Sequence, residues 1–184
     1  MADLEKTMTI DDLKMQIPDT AKDIRLNLGS VLVVGESGLT ASQLWGTALA
    51  VAYAIGNPNL TTSIFNEGAE ALSDEIQQAA EMAAALMAMN NIYYRALHLI
   101  EDKELSALPA RLRMNALGNP GIDKKDFELM CLAISAINGC GMCLQSHANT
   151  LKKEGITSAM IQHALKIAAV LNATVCAIRL KNGH

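Results

Sequence analysis

The side chains able to do redox or acid–base chemistry gather in one stretch of this sequence, Asn138-Gly139-Cys140-Gly141-Met142-Cys143-Leu144-Gln145-Ser146-His147. Cys140 and Cys143 are three residues apart and His147 lies four beyond Cys143, so on a helix all three share a face. The cysteines fall in the first turn of such a helix, where unpaired backbone N–H groups and the positive end of the helix dipole favour a thiolate. An ordinary thiol with a pKa near 8.5 is only about 3% ionised at pH 7. Helix N-termini and basic neighbours lower that pKa to between about 3.5 and 7.5. The spacing also suits a disulfide that closes and reopens with little backbone movement. A redox dithiol is the direct reading. Two others stay open. Cys140, Cys143 and His147 could be three ligands of a zinc site, although a structural site needs a fourth and no second Cys-x-x-Cys or His-x-x-x-His pair is present. Both cysteines could also be small core residues, a common fate of the type.

Glu128 sits in Phe127-Glu128-Leu129-Met130-Cys131-Leu132-Ala133-Ile134-Ser135-Ala136-Ile137, a helix apolar on nearly every side and therefore expected to be buried. Its carboxylate is either solvated near the helix start or buried for a purpose. Buried beside His147, it would hold the imidazole and draw protons from the thiols. Cys131 and Cys176, on apolar helices, read as core thiols. His98, His163 and His184 have no reactive neighbours in sequence and read as surface or tail residues. Asn90-Asn91 inside a long helix is unusual, because asparagine is a mediocre helix former; buried amides tying helices together would explain the pair, and an exposed patch would too. Met82, Met87 and Met89 read as core.

The elements that must position these residues are helices. Ten methionines, many alanines and leucines, four prolines and no alternating runs predict an all-α chain. Helices are expected from Thr9 to about Leu28 with a break at Pro18, from Thr40 to Ile55, from Leu60 to about Ala71 and from Ser73 to about Ile100. A short one around Pro109 to Leu117 would use Pro109 as its first residue. Three more follow: Lys124 to Asn138 capped by Asp123, about Cys140 to Glu154, and one that starts after Thr157 and runs to about Lys181. Shifting the sequence by 83 residues sets Leu44 on Phe127, Leu49 on Leu132, Ala50 on Ala133 and Gly56 on Gly139; one residue more sets Ser73 on Thr157 and Ala80 on Ala164. The chain reads as one domain over 1–184 built from two related helical halves, about 39–100 and 122–181, the second carrying the Cys-x-x-Cys site. In the first half the positions of Glu128, Cys140, Cys143 and His147 are held by Trp45, Asn57, Leu60 and Ile64. The frame is built there without any of the four, so their joint presence in one copy reads as a functional set.

Composition narrows the partners. The 184 residues are 51% hydrophobic and 18% charged, with a net charge of −4. That balance excludes disordered and fibrous classes and lacks the basic field that nucleic-acid binding needs; aromatics at 3% leave few platforms for stacking on single strands. The apolar runs Leu44 to Gly56 and Met82 to Met89 fall short of the roughly 18 residues of a membrane span. The opening Met1 to Lys6 has no apolar leader, and four cysteines make no disulfide scaffold in a chain this apolar. A cytoplasmic protein with reduced thiols, and neither a nucleic-acid nor a membrane partner, is expected.

Glu128-x11-Cys140-x-x-Cys143-x-x-x-His147, with Ser135-Ala136-Ile137-Asn138-Gly139 before the cysteines, resembles the alkyl hydroperoxide reductase D (AhpD) family. Gln43-Leu44-Trp45-Gly46, Met87-Ala88-Met89-Asn90-Asn91-Ile92-Tyr93-Tyr94-Arg95, Leu112-Arg113-Met114-Asn115 and Asn119-Pro120-Gly121 agree, so the resemblance covers nearly the whole chain. The Cys-x-x-Cys core alone is shared with the wider carboxymuconolactone-decarboxylase-like superfamily. The resemblance implies an all-helical thiol antioxidant enzyme, a homotrimer, that reduces organic hydroperoxides and regenerates the peroxiredoxin alkyl hydroperoxide reductase C (AhpC). It implies no bound cofactor or metal. Electrons would come from a lipoyl group (dihydrolipoamide) on a lipoylated acyltransferase, re-reduced by dihydrolipoamide dehydrogenase. By position, Cys143 would become the sulfenic acid, Cys140 would be the proton-donating and resolving thiol, and Glu128 and His147 the proton relay. Some members carry a histidine between the cysteines; here that position is Met142, so its step must pass through Glu128, His147 or water. Two other readings use the same frame: a carboxymuconolactone-decarboxylase-like lyase, which needs no dithiol turnover, and a zinc-stabilised interaction module.

Overall fold

Local signals in the chain set most helix ends, but the helix expected to stop near Leu28 runs on to Val31, and the one expected from Leu60 to about Ala71 spans Pro58–Glu67. The computed structural model describes residues 8–182; Met1 to Lys6 and His184, both read above, lie outside them. Among the described residues there is helix, turn and loop but no strand, so the chain is all-α. Thr9 and Thr40 cap α1 (Ile10–Gln16) and α3 (Ala41–Ile55) through capping boxes closed by Asp12 and Gln43. Pro18 separates α1 from α2 (Lys22–Val31). Asn57 caps α4 (Pro58–Glu67), whose first residue is Pro58, so the predicted stop at Gly56-Asn57-Pro58 is also a start. Ser73 caps the long α5 (Asp74–Ile100).

The expected helix at Pro109 is not formed. Asp102 instead caps a five-residue α6 (Lys103–Ala107), and Leu108 is extended at φ −70°, ψ 138°. A residue before proline is pushed out of the helical region, so Pro109 ends α6 rather than opening a helix of its own. The chain then runs without α-helix to a single 3₁₀ turn at Asn115–Gly118. Asp123 caps α7 (Lys124–Ile137), and α8 (Gly141–Lys153) and α9 (Ser158–Asn182) complete the chain.

α3 and α7 form the centre. α3 packs against α4, α5, α7 and α9, and α7 against α3, α5, α8 and α9. Every residue from Gln43 to Ala52 is buried, as is every one from Leu129 to Ser135. The two helices approach closely at Gly46, where an added Cβ would stand 2.8 Å from Met130 Cε and 3.0 Å from Ile76 Cγ2. At their N-terminal ends Gln43 Nε2 donates to Asp126 Oδ1 at 2.7 Å. These residues are 83 apart, the same position in the two proposed halves. α9 is long and apolar enough, by length and composition, to cross a membrane, a feature hidden by counting only unbroken apolar runs; over half of its most apolar stretch is buried inside the molecule, as in a core helix.

Candidate active site

The reversal between α7 and α8 places the cysteines. Gly139 takes φ +65°, a left-handed conformation that side chains disfavour, and the Cys140 N–H bonds back to the Ser135 carbonyl at 3.1 Å. Cys140 thereby becomes the N-cap of α8, and its Sγ accepts from the Cys143 N–H at 3.3 Å. Asn57 does the same at the start of α4, its Oδ1 accepting from the Leu60 N–H at 2.9 Å. A sulfur occupies at the start of α8 the place that an amide oxygen fills at the start of α4. Cys140 and Cys143 are joined in a disulfide with their Cα atoms 5.3 Å apart. Cys140 is wholly buried, whereas Cys143 is slightly exposed and borders a cavity.

One helix behind, Glu128 faces the same site. Its Oε2 lies 2.7 Å from His147 Nδ1, and the two side chains are 18% and 15% exposed. The solvated reading of Glu128 gives way to a half-buried pair across α7 and α8. With the carboxylate ionised, Nδ1 donates to it and Nε2 is left as a base, the division of labour that a carboxylate imposes on a histidine. Cys131 lies a turn beyond Glu128 on α7 and is buried. Desolvation, with the Glu128 charge adding to it, raises the Cys131 thiol pKa far above its ordinary value, which makes it the inert core thiol expected.

α5 fastens the reversal from behind. Asn91 Nδ2 donates to Ser135 Oγ at 2.9 Å, Asn138 Nδ2 donates to Asn91 Oδ1 at 3.0 Å, and Arg95 donates to the Asn138 carbonyl. Ser135 Oγ also lies 3.9 Å from the Met87 sulfur. Met87, Asn91 and Arg95 are spaced by four and form one stripe of α5. Asn91 is therefore the buried tie between helices that the sequence left as one of two options.

The cavity beside Cys143 has a volume of about 370 Å³. Met87, Tyr94, Met114, Leu117 and Met142 give it apolar walls, and Asn90, Ser146 and His147 supply the polar groups. Sequence reasoning did not assign Asn90, Tyr94, Met114, Leu117 or Ser146 to the site. Spacing points to three of them: Ser146 is three residues from Cys143, and Asn90 and Tyr94 continue a stripe from Met87. Two sequence expectations are corrected elsewhere. His163 is buried, and its Nε2 is 2.8 Å from the Val31 carbonyl, satisfying the C-terminus of α2. Cys176 is exposed rather than core, because Thr174, Val175, Ala177 and Ile178 take the inward face of α9 around it. His98 is exposed as expected. No three or more His, Cys, Asp or Glu side chains come together as a metal site among the described residues.

Residues 103–178, from α6 through most of α9, match the model of the Carboxymuconolactone decarboxylase family. That stretch holds Glu128, both cysteines and His147. Curated relatives narrow the match and extend it over most of the chain. Alkyl hydroperoxide reductase AhpD of Streptomyces coelicolor is 54% identical over 166 residues, 90% of this chain and 92% of its own length. The AhpD proteins of Coxiella burnetii (strain Dugway 5J108-111) and Maricaulis maris are 56% identical over 86% of this chain and 51% identical over 90%, covering 90% and 95% of their own lengths. The chain belongs to the alkyl hydroperoxide reductase AhpD family.

Proposed function

We propose that the chain is a dithiol enzyme that reduces alkyl hydroperoxides and passes electrons to the peroxiredoxin AhpC, drawing them from lipoyl groups, in the cytoplasm and as a homotrimer. The observation that carries this reading is the pairing of Cys140 with Cys143 at the start of α8, with Cys143 and His147 both bordering the cavity. A lyase would have no use for a closed disulfide, and a zinc module would need both sulfurs free.

The chemistry follows from the placement. In the reduced enzyme the Glu128–His147 pair takes the Cys143 proton, and the thiolate attacks the distal oxygen of R–O–O–H. The O–O bond breaks and an S–O bond forms, leaving Cys143 as the sulfenic acid and an alkoxide that takes up the proton as alcohol. The Cys140 sulfur, already at bonding range, then attacks the sulfenic sulfur; its own proton leaves with the hydroxide as water, and the disulfide forms. One hydroperoxide and two thiols thus give one alcohol, one water and one disulfide. A thiolate of dihydrolipoamide reverses the state by attacking Cys143, the accessible sulfur. Cys140 departs as a thiolate, stabilised by the Cys143 N–H and the start of α8. The second lipoyl thiol releases the mixed disulfide as lipoamide. AhpC would be reduced by the same two sulfurs acting in the opposite sense.

The test is a coupled assay with dihydrolipoamide, dihydrolipoamide dehydrogenase, NADH and an organic hydroperoxide. Steady NADH oxidation that requires the protein is the expected result. Thioredoxin supporting equal or faster turnover would defeat the lipoyl assignment, and no peroxide-driven loss of the two thiols would defeat the cycle.

A further inference from the structure

The two asparagines of α5 are adjacent in sequence and opposite in circumstance. Asn91 is tied at both ends of its amide, to Ser135 and Asn138. Asn90 is 95% buried on the cavity side of the same helix, being only 5% exposed, and its Oδ1 is shut in with no hydrogen-bond partner among the described residues. Neither end of its amide is held by any side chain or backbone group described. A buried polar group left unpaired opposes folding, and a leucine would fill the space without that penalty. Among the residues lining the cavity, Asn90 is the one whose polar group is buried and unsatisfied, and it shares that lining with Cys143 and His147.

We propose that the Asn90 carboxamide is the recognition group for the hydroperoxide function of the substrate. This rests on the reading of the site as a hydroperoxide reductase. A carboxamide presents one acceptor and one donor side by side. A hydroperoxide presents the complement: an O–H on the distal oxygen and a lone pair on the proximal one. Asn90 Oδ1 accepts from the distal O–H, and Nδ2 donates to the proximal oxygen. The first bond sets the distal oxygen toward the Cys143 thiolate. The second strengthens as negative charge develops on the departing alkoxide, the moment at which a fixed donor contributes most to rate. Because nothing else holds the amide, it turns to meet the ligand without breaking a bond. The apolar walls from Met87, Met114, Leu117 and Met142 take the alkyl part, so the substrate class is an organic hydroperoxide with an apolar chain. A disulfide or a lipoyl thiolate offers no strong donor to Oδ1. Asn90 therefore acts in the oxidative half of the cycle far more than in the reductive half.

The experiment separates the two halves. Reduced protein is mixed with tert-butyl hydroperoxide and the loss of thiols is followed by rapid quench; oxidised protein is mixed with dihydrolipoamide and the return of thiols is followed the same way. Asn90→Leu should slow the first about tenfold, the loss of roughly one hydrogen bond's worth of discrimination, and change the second by less than about twofold. Its Tm should equal or exceed that of the parent, because an unsatisfied group has been removed. Asn90→Ala, which cannot clash, reports the same split should the leucine variant fail to fold. An unchanged oxidative half in either variant overturns the proposal, as does equal slowing of both halves, which would make Asn90 a matter of cavity shape. A parent protein that tert-butyl hydroperoxide does not oxidise would instead overturn the enzymatic reading beneath it.

Discussion

At the residue scale the proposed cycle treats Glu128 and His147 as one unit, because among the described residues the imidazole's hydrogen-bond partner is the carboxylate 2.7 Å away. Glu128→Gln keeps the shape and removes the charge, so Nδ1 loses its ionic partner and Nε2 its definition as the base. Hydroperoxide turnover should fall by roughly 10²–10⁴-fold, the range of general acid–base catalysis, with little change in the circular dichroism spectrum. A rate near the parent's would return Glu128 to a passive place in the helix. The thiols offer a second check. Cys131 is buried and its ionisation is pushed upward by burial and by Glu128, so at pH 8 it remains a protonated thiol. Alkylation of the reduced native protein with iodoacetamide should modify the exposed Cys176 first, reach Cys143 more slowly through the cavity, and leave Cys131 untouched until denaturant is added. Peptide mass spectrometry reads the order directly.

Helix ends and helix faces decide what is legible at the scale of elements. Caps at Thr9, Thr40, Ser73 and Asp123, the turn at Gly139 and the start of α8 rest on interactions within a few residues, and the sequence displays them. The Glu128–His147 pair joins positions 19 residues apart across α7 and α8, so spacing left both fates of Glu128 open. Apolar composition misled in α9, where it marks the helix as buried without saying which face is inward. Counting by threes and fours from Ala164 through Ile167, Ala168, Leu171 and Val175 to Ile178 gives that face and leaves Cys176 off it. Pro109 reads in the sequence as the first residue of a helix, but the turn capped by Asp102 has already used the segment before it. The α5 stripe of Met87, Asn91 and Arg95 was invisible because its partners lie on another helix. Its importance is testable. Asn91→Leu would leave the buried Ser135 Oγ with only the weak Met87 sulfur as partner and unpair the half-buried Asn138 Nδ2, costing up to about 1–3 kcal/mol for each group left unsatisfied. Thermal unfolding should show the loss, and the rate of disulfide formation should drop as the turn before Cys140 loosens.

On the scale of the whole molecule, large apolar side chains remain uncovered on one copy: Ile92, Leu99, Ile100 and Leu108 are each more than half exposed. A closed cyclic assembly is a usual way to cover such surface. On the proposed trimer, light scattering at micromolar protein should give three times the chain mass; the mass of one chain would remove the trimer from the reading. The acidic balance predicts no retention of the protein on duplex DNA at physiological salt. The burial of Cys140 behind Cys143 reaches further, into the order of events in solution. In the proposed cycle, with Cys143 and not Cys140 bordering the cavity, peroxide and reductant form their bonds on the same sulfur, and neither can react while the other is there. Initial rates measured across both concentrations should therefore give parallel lines in double-reciprocal plots, the mark of a ping-pong enzyme. At high concentration, each substrate should slow the other by occupying the form of the enzyme that it cannot use.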